Sequence, residues 1–430
     1  MAIPFLFILV LSLIYLIYKR NIGGLLCLLT LFPDVIGMVL IRSGISGLAM
    51  ITKYGLMLAV VYLARAQLGE NVSNIWRSPV SKLFYALIVV MFLHNEVLVG
   101  GASAHVEIAT FQLNIVLRIL IPWILLMLCA NDKNTITQYC KAVPWWGLFF
   151  MLVFIFLIGI AKENFDNRMS MTEETGINSI SLSRYAAMTF CGTLVCLVMK
   201  CSKTMKYAYA GILIMSAFVL LLASQRGSVV GVGLAVVVAL GFIMIKRRMF
   251  GQYIAVLFSI VILVFILLSY FDFQVFSRFE ELKDYESMYR YADYGIAWKA
   301  YSENDYIWGL GSMGYSAYTN GFRQYPHSFI LELMSEYGIV GLIFALTVLI
   351  YGIKLTIRVF KSNTSINPMM TIPMIWLALL CSALVSADFL HNAQFFLVTG
   401  MLVLTAQNVN ANDDVELLED ETESETIETR

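Results

Sequence analysis

Apolar stretches of about 20 residues recur along nearly the whole chain, and nothing else constrains its fold so tightly. A helix rises 1.5 Å per residue, so each stretch can cross a hydrocarbon layer of ~30 Å. The runs fall roughly at 2–18, 22–41, 47–66, 80–98, 111–130, 141–161, 180–199, 206–223, 227–245, 252–270, 328–355, 367–387 and 390–407. The second is broken by Pro33-Asp34, and the last two lie close together. Of 430 residues, 60% are hydrophobic and only 13% are charged, too few charges to cover a soluble fold of this size. The chain is expected to be an all-α, polytopic integral membrane bundle of about 12–13 transmembrane helices. Its first stretch, 2–18, lacks a basic leader region and a small-residue cleavage site, so it reads as a retained span.

Lysines and arginines in short connections face the cytoplasm. Lys19-Arg20; Arg65, Arg77 and Lys82; Lys133 and Lys141; Lys200, Lys203 and Lys206; Lys246-Arg247-Arg248; and Lys354, Arg358 and Lys361 sit at alternate junctions. All six groups can therefore lie on one side. The opposite side then holds His94 to Glu107, Lys162 to Asn178, Arg226, the long polar stretch 271–326 and His391. The N-terminus falls outside on this count. The chain divides into transmembrane helices over 1–270, an extracytoplasmic loop containing a helix over 271–326, C-terminal transmembrane helices over 327–408, and an acidic cytoplasmic tail over 409–430.

Net charge is zero, but it is unevenly placed. The tail 411–430 holds nine acids and one arginine; without them the chain has 28 basic and 20 acidic residues. A basic body suits an anionic substrate or lipid, although positive cytoplasmic loops alone give the same balance. The tail has too few apolar residues to fold and reads as disordered. The seven cysteines fall in or beside apolar runs with no metal-binding or CxxC spacing, so neither a disulfide framework nor a metal site is indicated.

The long loop carries most of the chemistry. Residues 280–302 read as helix, with Tyr291, Tyr294, Trp298 and Tyr301 forming an aromatic stripe along one face and Arg290 flanking it. Residues 304–321 read as irregular loop. Gly309-Leu310-Gly311-Ser312-Met313-Gly314 matches GxGxxG literally, but a dinucleotide site needs a preceding strand, a following helix and an acid about 20 residues on. None is evident, so the glycines are expected to let the loop pack closely on the membrane domain.

Arg226 interrupts the hydrophobic sequence between two runs at the outer boundary. It is either a snorkelling arginine or a planar fork for phosphate oxygens. Arg290 either pairs with Glu286 or Asp293 on its own helix, or holds a phosphate beside sugars stacked on the aromatic stripe. His327 follows Pro326, which suits the first turn of a helix, and an imidazole can take a proton from a hydroxyl. Glu332 and Glu336 enter the next span at i, i+4 spacing, where ionisable groups are functional candidates. Asp34, Asp388 and His391 are weaker candidates of the same kind.

Together these residues resemble the O-antigen ligase and O-antigen polymerase superfamily. The resemblance rests on Arg226-Gly227-Ser228 opening an apolar helix, Arg290 with Trp298 eight residues later, Trp308-Gly309-Leu310-Gly311, and the stretch His327 to Gly341. It is strongest over 180–350. It implies a GT-C-like, metal-independent glycosyltransferase of the bacterial inner membrane, without cofactor or nucleotide sugar, acting on the periplasmic side. Its donor would be an undecaprenyl-pyrophosphate-linked glycan. It implies Arg226 and Arg290 as pyrophosphate-holding residues and His327 as the residue assisting the acceptor hydroxyl. Tyr291, Tyr294, Trp298, Glu332 and Glu336 would complete the substrate site. Partners would be the lipid-linked glycan, membrane lipid, and chain-length regulator and flippase proteins, with no nucleic acid. The expected activity is polymerisation of lipid-linked repeats into O-antigen or capsule-type polysaccharide. The alternatives are ligation of the glycan to the lipid A-core of lipopolysaccharide, and a transporter or flippase, which broken helices at Pro33-Asp34 and a charge at Asp388 would suit.

Overall fold

The computed structural model describes residues 2–45, 47–93, 102–158, 179–223, 225–246, 286–363, 366–385 and 388–409. The expected span at 252–270, the loop's first part to 285, the segment 159–178 and the tail from 410 lie outside the described residues. Among those described, all regular structure is helical. Eight helices are long and apolar enough to cross a membrane, or nine if one bent pair counts as a span. Three shorter apolar helices, Ile3–Tyr18, Pro79–Leu93 and Ala393–Val409, cover further runs. The chain is thus an all-α, multi-pass membrane protein.

Two irregularities fall beside prolines. Ile22–Leu31 and Pro33–Ile41 meet at a 74° bend, because Pro33 opens the second helix and cannot donate to the first. The run at 111–130 contains a five-residue π turn, Val116–Leu120, just ahead of Pro122. The missing N–H there leaves the preceding turn free to widen.

The site-bearing end of the bundle is built by five helices. Arg226–Lys246 lies along Thr371–Val385 through small residues four apart. A Cβ on Gly227 would lie 3.1 Å from Ser382 Cα, and one on Gly231 would strike the backbone of Ala378. Backbones this close need glycine, as in other helix pairs in lipid. Ser179–Val198 packs on both. Phe329–Ser362 is held against Ala393–Val409 by rings: Phe329 lies 5.5 Å from Phe395 and 5.8 Å from Phe396, which also contacts Phe344 and Phe389. Such pairs contribute ~0.5–1.5 kcal/mol each beyond the apolar area they bury.

Candidate functional site

Phe329–Ser362 is two helices joined at a kink. Tyr337 (φ −124°, ψ 19°) and Gly338 (φ 56°, ψ −142°) leave helical geometry. The kink frees backbone groups that a continuous helix would pair internally, and the polar loop takes them up. Leu310 N–H donates to Ser335 O at 3.0 Å, Gly311 N–H to Glu336 O at 2.7 Å, and Ile339 N–H to Tyr306 O at 2.9 Å. Gly309 and Gly338 meet face to face: a Cβ on Gly309 would lie 2.5 Å from Gly338 N, and one on Gly338 would overlap Ile307 O. The GxGxxG run is therefore a docking surface for the loop, as its reading as a close-packing turn required. Tyr337 Oη donates to Ser312 Oγ at 3.1 Å and fixes the same contact from below.

Beyond the glycines the loop is more ordered than an irregular segment. Gly314–Tyr318 forms a short helix. Arg323 Nη1 pairs with the buried Asp293 Oδ1 at 3.2 Å, tying the approach to His327 onto the helix Glu286–Glu303. That helix buries Asp293, Ala297 and Ala300 and turns Tyr291 and Trp298 outward. Tyr291 touches Tyr294 edge-on at 6.4 Å, and Trp298 lies 5.9 Å from Tyr301, so the aromatics form two ring pairs along the helix. Arg290 sits on this helix; its side chain lies outside the described residues.

Pro326 and His327 are not in the first turn of the next helix, as the sequence suggests. The helix begins at Phe329, with Ser328 as N-cap. His327 has φ 55°, a left-handed conformation that cannot continue a right-handed helix. A non-glycine residue held there marks a locally constrained position, the kind that clusters at functional sites. The Tyr325 ring meets the His327 ring edge-on at 4.8 Å. Burial, followed by the nearby Asp388 charge, pushes the Tyr325 hydroxyl above its ordinary pKa, so it remains a neutral donor.

Two carboxylates below this turn hold elements together. Glu332 is buried and its Oε2 accepts the Phe389 N–H at 2.8 Å. Glu336 is buried under the loop, facing the backbone amides of Tyr315 and Met313. Arg226 opens its helix, half-buried, one residue before the Gly227 that packs on Ser382.

Sequence reasoning missed one residue here, Arg184. It is fully buried, and its guanidinium donates from Nε to Ser382 Oγ at 3.0 Å, from Nη1 to His391 O and from Nη2 to Asn392 Oδ1. An arginine inside an apolar run was the available signal. Arg184 joins Ser382, against which Gly227 packs, to the turn 388–392. In that turn Asp388 Oδ1 accepts the ring Nδ1–H of His391 at 2.7 Å and its backbone N–H at 2.6 Å. Asp34 belongs elsewhere: it accepts from Tyr185 Oη at the helix bend, and Gln394 Nε2 donates to the same hydroxyl at 3.2 Å. Among the described residues no His, Cys, Asp and Glu converge as a metal-binding group.

The Arg226 helix, the loop and the His327 turn thus gather at one end of the bundle, and together they span a recognisable unit. Residues 210–346 match the family model described as O-antigen ligase. This part of the chain is similar to the O-antigen ligase and polymerase superfamily. The match covers about a third of the chain and includes Arg226, Arg290 and His327, whereas Arg184, Asp388 and His391 flank it. No curated protein matches the chain. Members of the family are glycosyl-transfer enzymes, and the match supports an O-antigen ligase or polymerase type of function.

Proposed function

We propose that the protein polymerises undecaprenyl-pyrophosphate-linked oligosaccharide repeats into O-antigen or capsule-type polysaccharide, at the periplasmic face of the bacterial inner membrane. The observation that carries this reading is the gathering of Arg226, the aromatic helix of the loop and the His327 turn at one end of an apolar bundle, inside the matched domain. The undecaprenyl chain lies between helices, in lipid. The donor sugars rest against the exposed Tyr291 and Trp298.

A pyrophosphate is both an anionic anchor and a good leaving group, so cleavage needs charge stabilisation more than a strong acid. Arg226 and Arg290 supply it in a partly dry site, where fixed charges act more strongly than in water. The acceptor hydroxyl, oriented by His327, attacks the anomeric carbon. Glu332 and Glu336 act from within the bundle, holding the 388–392 turn and the loop in place. No metal takes part in this scheme. Chain-length regulator and flippase proteins would act alongside it.

Ligation to a lipid A-core is the second reading, favoured by the description of the matching family model. Polymerisation is preferred because many surface glycans need a polymerase. Deleting the gene separates them: a lost polymerase leaves one repeat attached, and a lost ligase leaves bare core while lipid-linked chains accumulate. A transporter would polymerise nothing in detergent. R226A and R290A should each abolish polymer at normal protein levels, and wild-type polymer lengths in both would overturn the proposed site.

A further inference from the structure

His391 and Asp388 form a hydrogen-bonded pair of the kind that prepares a general base, and the site described above does not use it. Asp388 Oδ1 lies 2.7 Å from His391 Nδ1. Burial opposes charge on Asp388, but the hydrogen bonds and charge of His391, followed by the Arg184 charge, outweigh it and hold the carboxyl below its ordinary pKa. A carboxylate can only accept, so His391 presents Nδ1–H to it, and in the neutral ring that leaves the lone pair on Nε2. The His391 side chain is 47% exposed rather than sealed in the bundle.

The turn carrying the pair is unusually well fixed. Arg184 donates to His391 O and Asn392 Oδ1, Asn392 Nδ2 donates to Asp388 O at 2.7 Å, and Glu332 takes the Phe389 N–H. The groups facing it are Arg184 from the Ser179–Val198 helix, Tyr325 with its neighbour His327 from the loop, and Glu332 and Glu336 from the Phe329 helix. Tyr325 packs its ring on His327 and feels the Asp388 charge.

We propose that His391, held by Asp388, is the base that removes the proton from the attacking acceptor hydroxyl, while His327 orients the acceptor sugar. This rests on the glycosyl-transfer reading above. The acceptor O–H bond breaks and its proton passes to Nε2 of His391. The acceptor oxygen bonds to the anomeric carbon of the donor. The bond from that carbon to the pyrophosphate oxygen breaks, and its electron pair leaves with undecaprenyl pyrophosphate. Asp388 stabilises the imidazolium, in the orienting role a carboxylate plays beside a catalytic histidine. The proton returns to water after the product leaves.

The test uses the full-length protein purified in detergent, with an undecaprenyl-pyrophosphate-linked repeat as substrate. Rates are measured against pH for wild type, H391Q, D388N and H391A, the last also with added imidazole, and folding is checked by thermal unfolding. H391Q should lower kcat ~10²–10⁴-fold with KM little changed, the span expected for losing a positioned base. The fall in rate on the acid side should vanish with it, and imidazole should restore part of the H391A rate. D388N should lower kcat less than H391Q. A folded H391Q with wild-type kcat, an unchanged acid limb, or folded H391A that imidazole does not rescue overturns the proposal. A wild type that elongates no lipid-linked repeat overturns the proposed function instead.

Discussion

Glu332 Oε2 accepts the Phe389 N–H at 2.8 Å, a single bond between the helix that follows His327 and the turn that carries Asp388 and His391. Both residues are almost completely buried, so no water replaces the bond if it is lost. E332L should cost ~1–3 kcal/mol, the usual penalty for a buried amide left unsatisfied. E332Q keeps an acceptor oxygen and should cost much less. Thermal unfolding in detergent separates the two, and equal losses would show that the carboxylate's charge, not this bond, is what matters.

Arg184 serves three acceptors at once in a planar fork: Ser382 Oγ, His391 O and Asn392 Oδ1. An ammonium is a point donor on a flexible stem and cannot reproduce that geometry. R184K should therefore lose most of what R184M loses, ~3–5 kcal/mol for a broken buried charged network. Cleavage by limited proteolysis should move into the 388–392 turn in both variants. A lysine variant as stable as wild type would mean that only charge is required.

The loop is docked where two glycine backbones touch, at Gly309 and Gly338. Alanine at 338 would carry a strained positive φ, costing ~1–2 kcal/mol, and would overlap Ile307 O. Moving the loop away would leave the carbonyls of Ser335 and Glu336 without the Leu310 and Gly311 amides. G338A should make residues 304–321 protease-sensitive and reduce polymer formation at least tenfold, while the rest of the bundle stays folded. An intact loop with full activity would show that the docking is not needed.

How much of this could be read from the chain depends on the range of the signal. Spans follow from local hydropathy, so each apolar run whose residues are described has its helix. The close-packing role of Gly309 and Gly311 was legible because no strand precedes them. The start of the His327 helix was misplaced, because Pro326 suits a first turn equally well and only the left-handed φ of His327 excludes it. Arg184 was overlooked because its partners lie about 200 residues away, at Ser382, His391 and Asn392. Local pattern says an arginine is inside a span, but only the packing says what it holds.

The proposed placement of the loop outside the cytoplasm rests on Lys246-Arg247-Arg248 and Lys354 to Lys361 on either side of it. Phe322 is 79% exposed, a convenient site for a label. In a background with the seven native cysteines replaced, F322C should react with a membrane-impermeant maleimide in intact spheroplasts. A cysteine at Lys354 should react only after lysis. The reverse pattern would invert the topology and remove the periplasmic site.

Asp388 makes the stability of this end of the bundle depend on pH, and the sign follows from its lowered pKa. The folded carboxyl titrates below its ordinary value of 3.8, so protons bind the unfolded chain more readily. Its contribution is complete above that ordinary value, begins to fall as pH drops through it, and is gone below the folded pKa. Wild type should therefore lose thermal stability in detergent between about pH 4 and lower values, beyond the loss that other carboxylates cause. D388N has nothing to titrate there. Its melting temperature should be lower than wild type at pH 6 and approach the wild-type value as the medium is acidified. Curves for the two proteins that stay parallel across this window would show that the Asp388–His391 and Arg184 interactions do not hold the carboxylate charged.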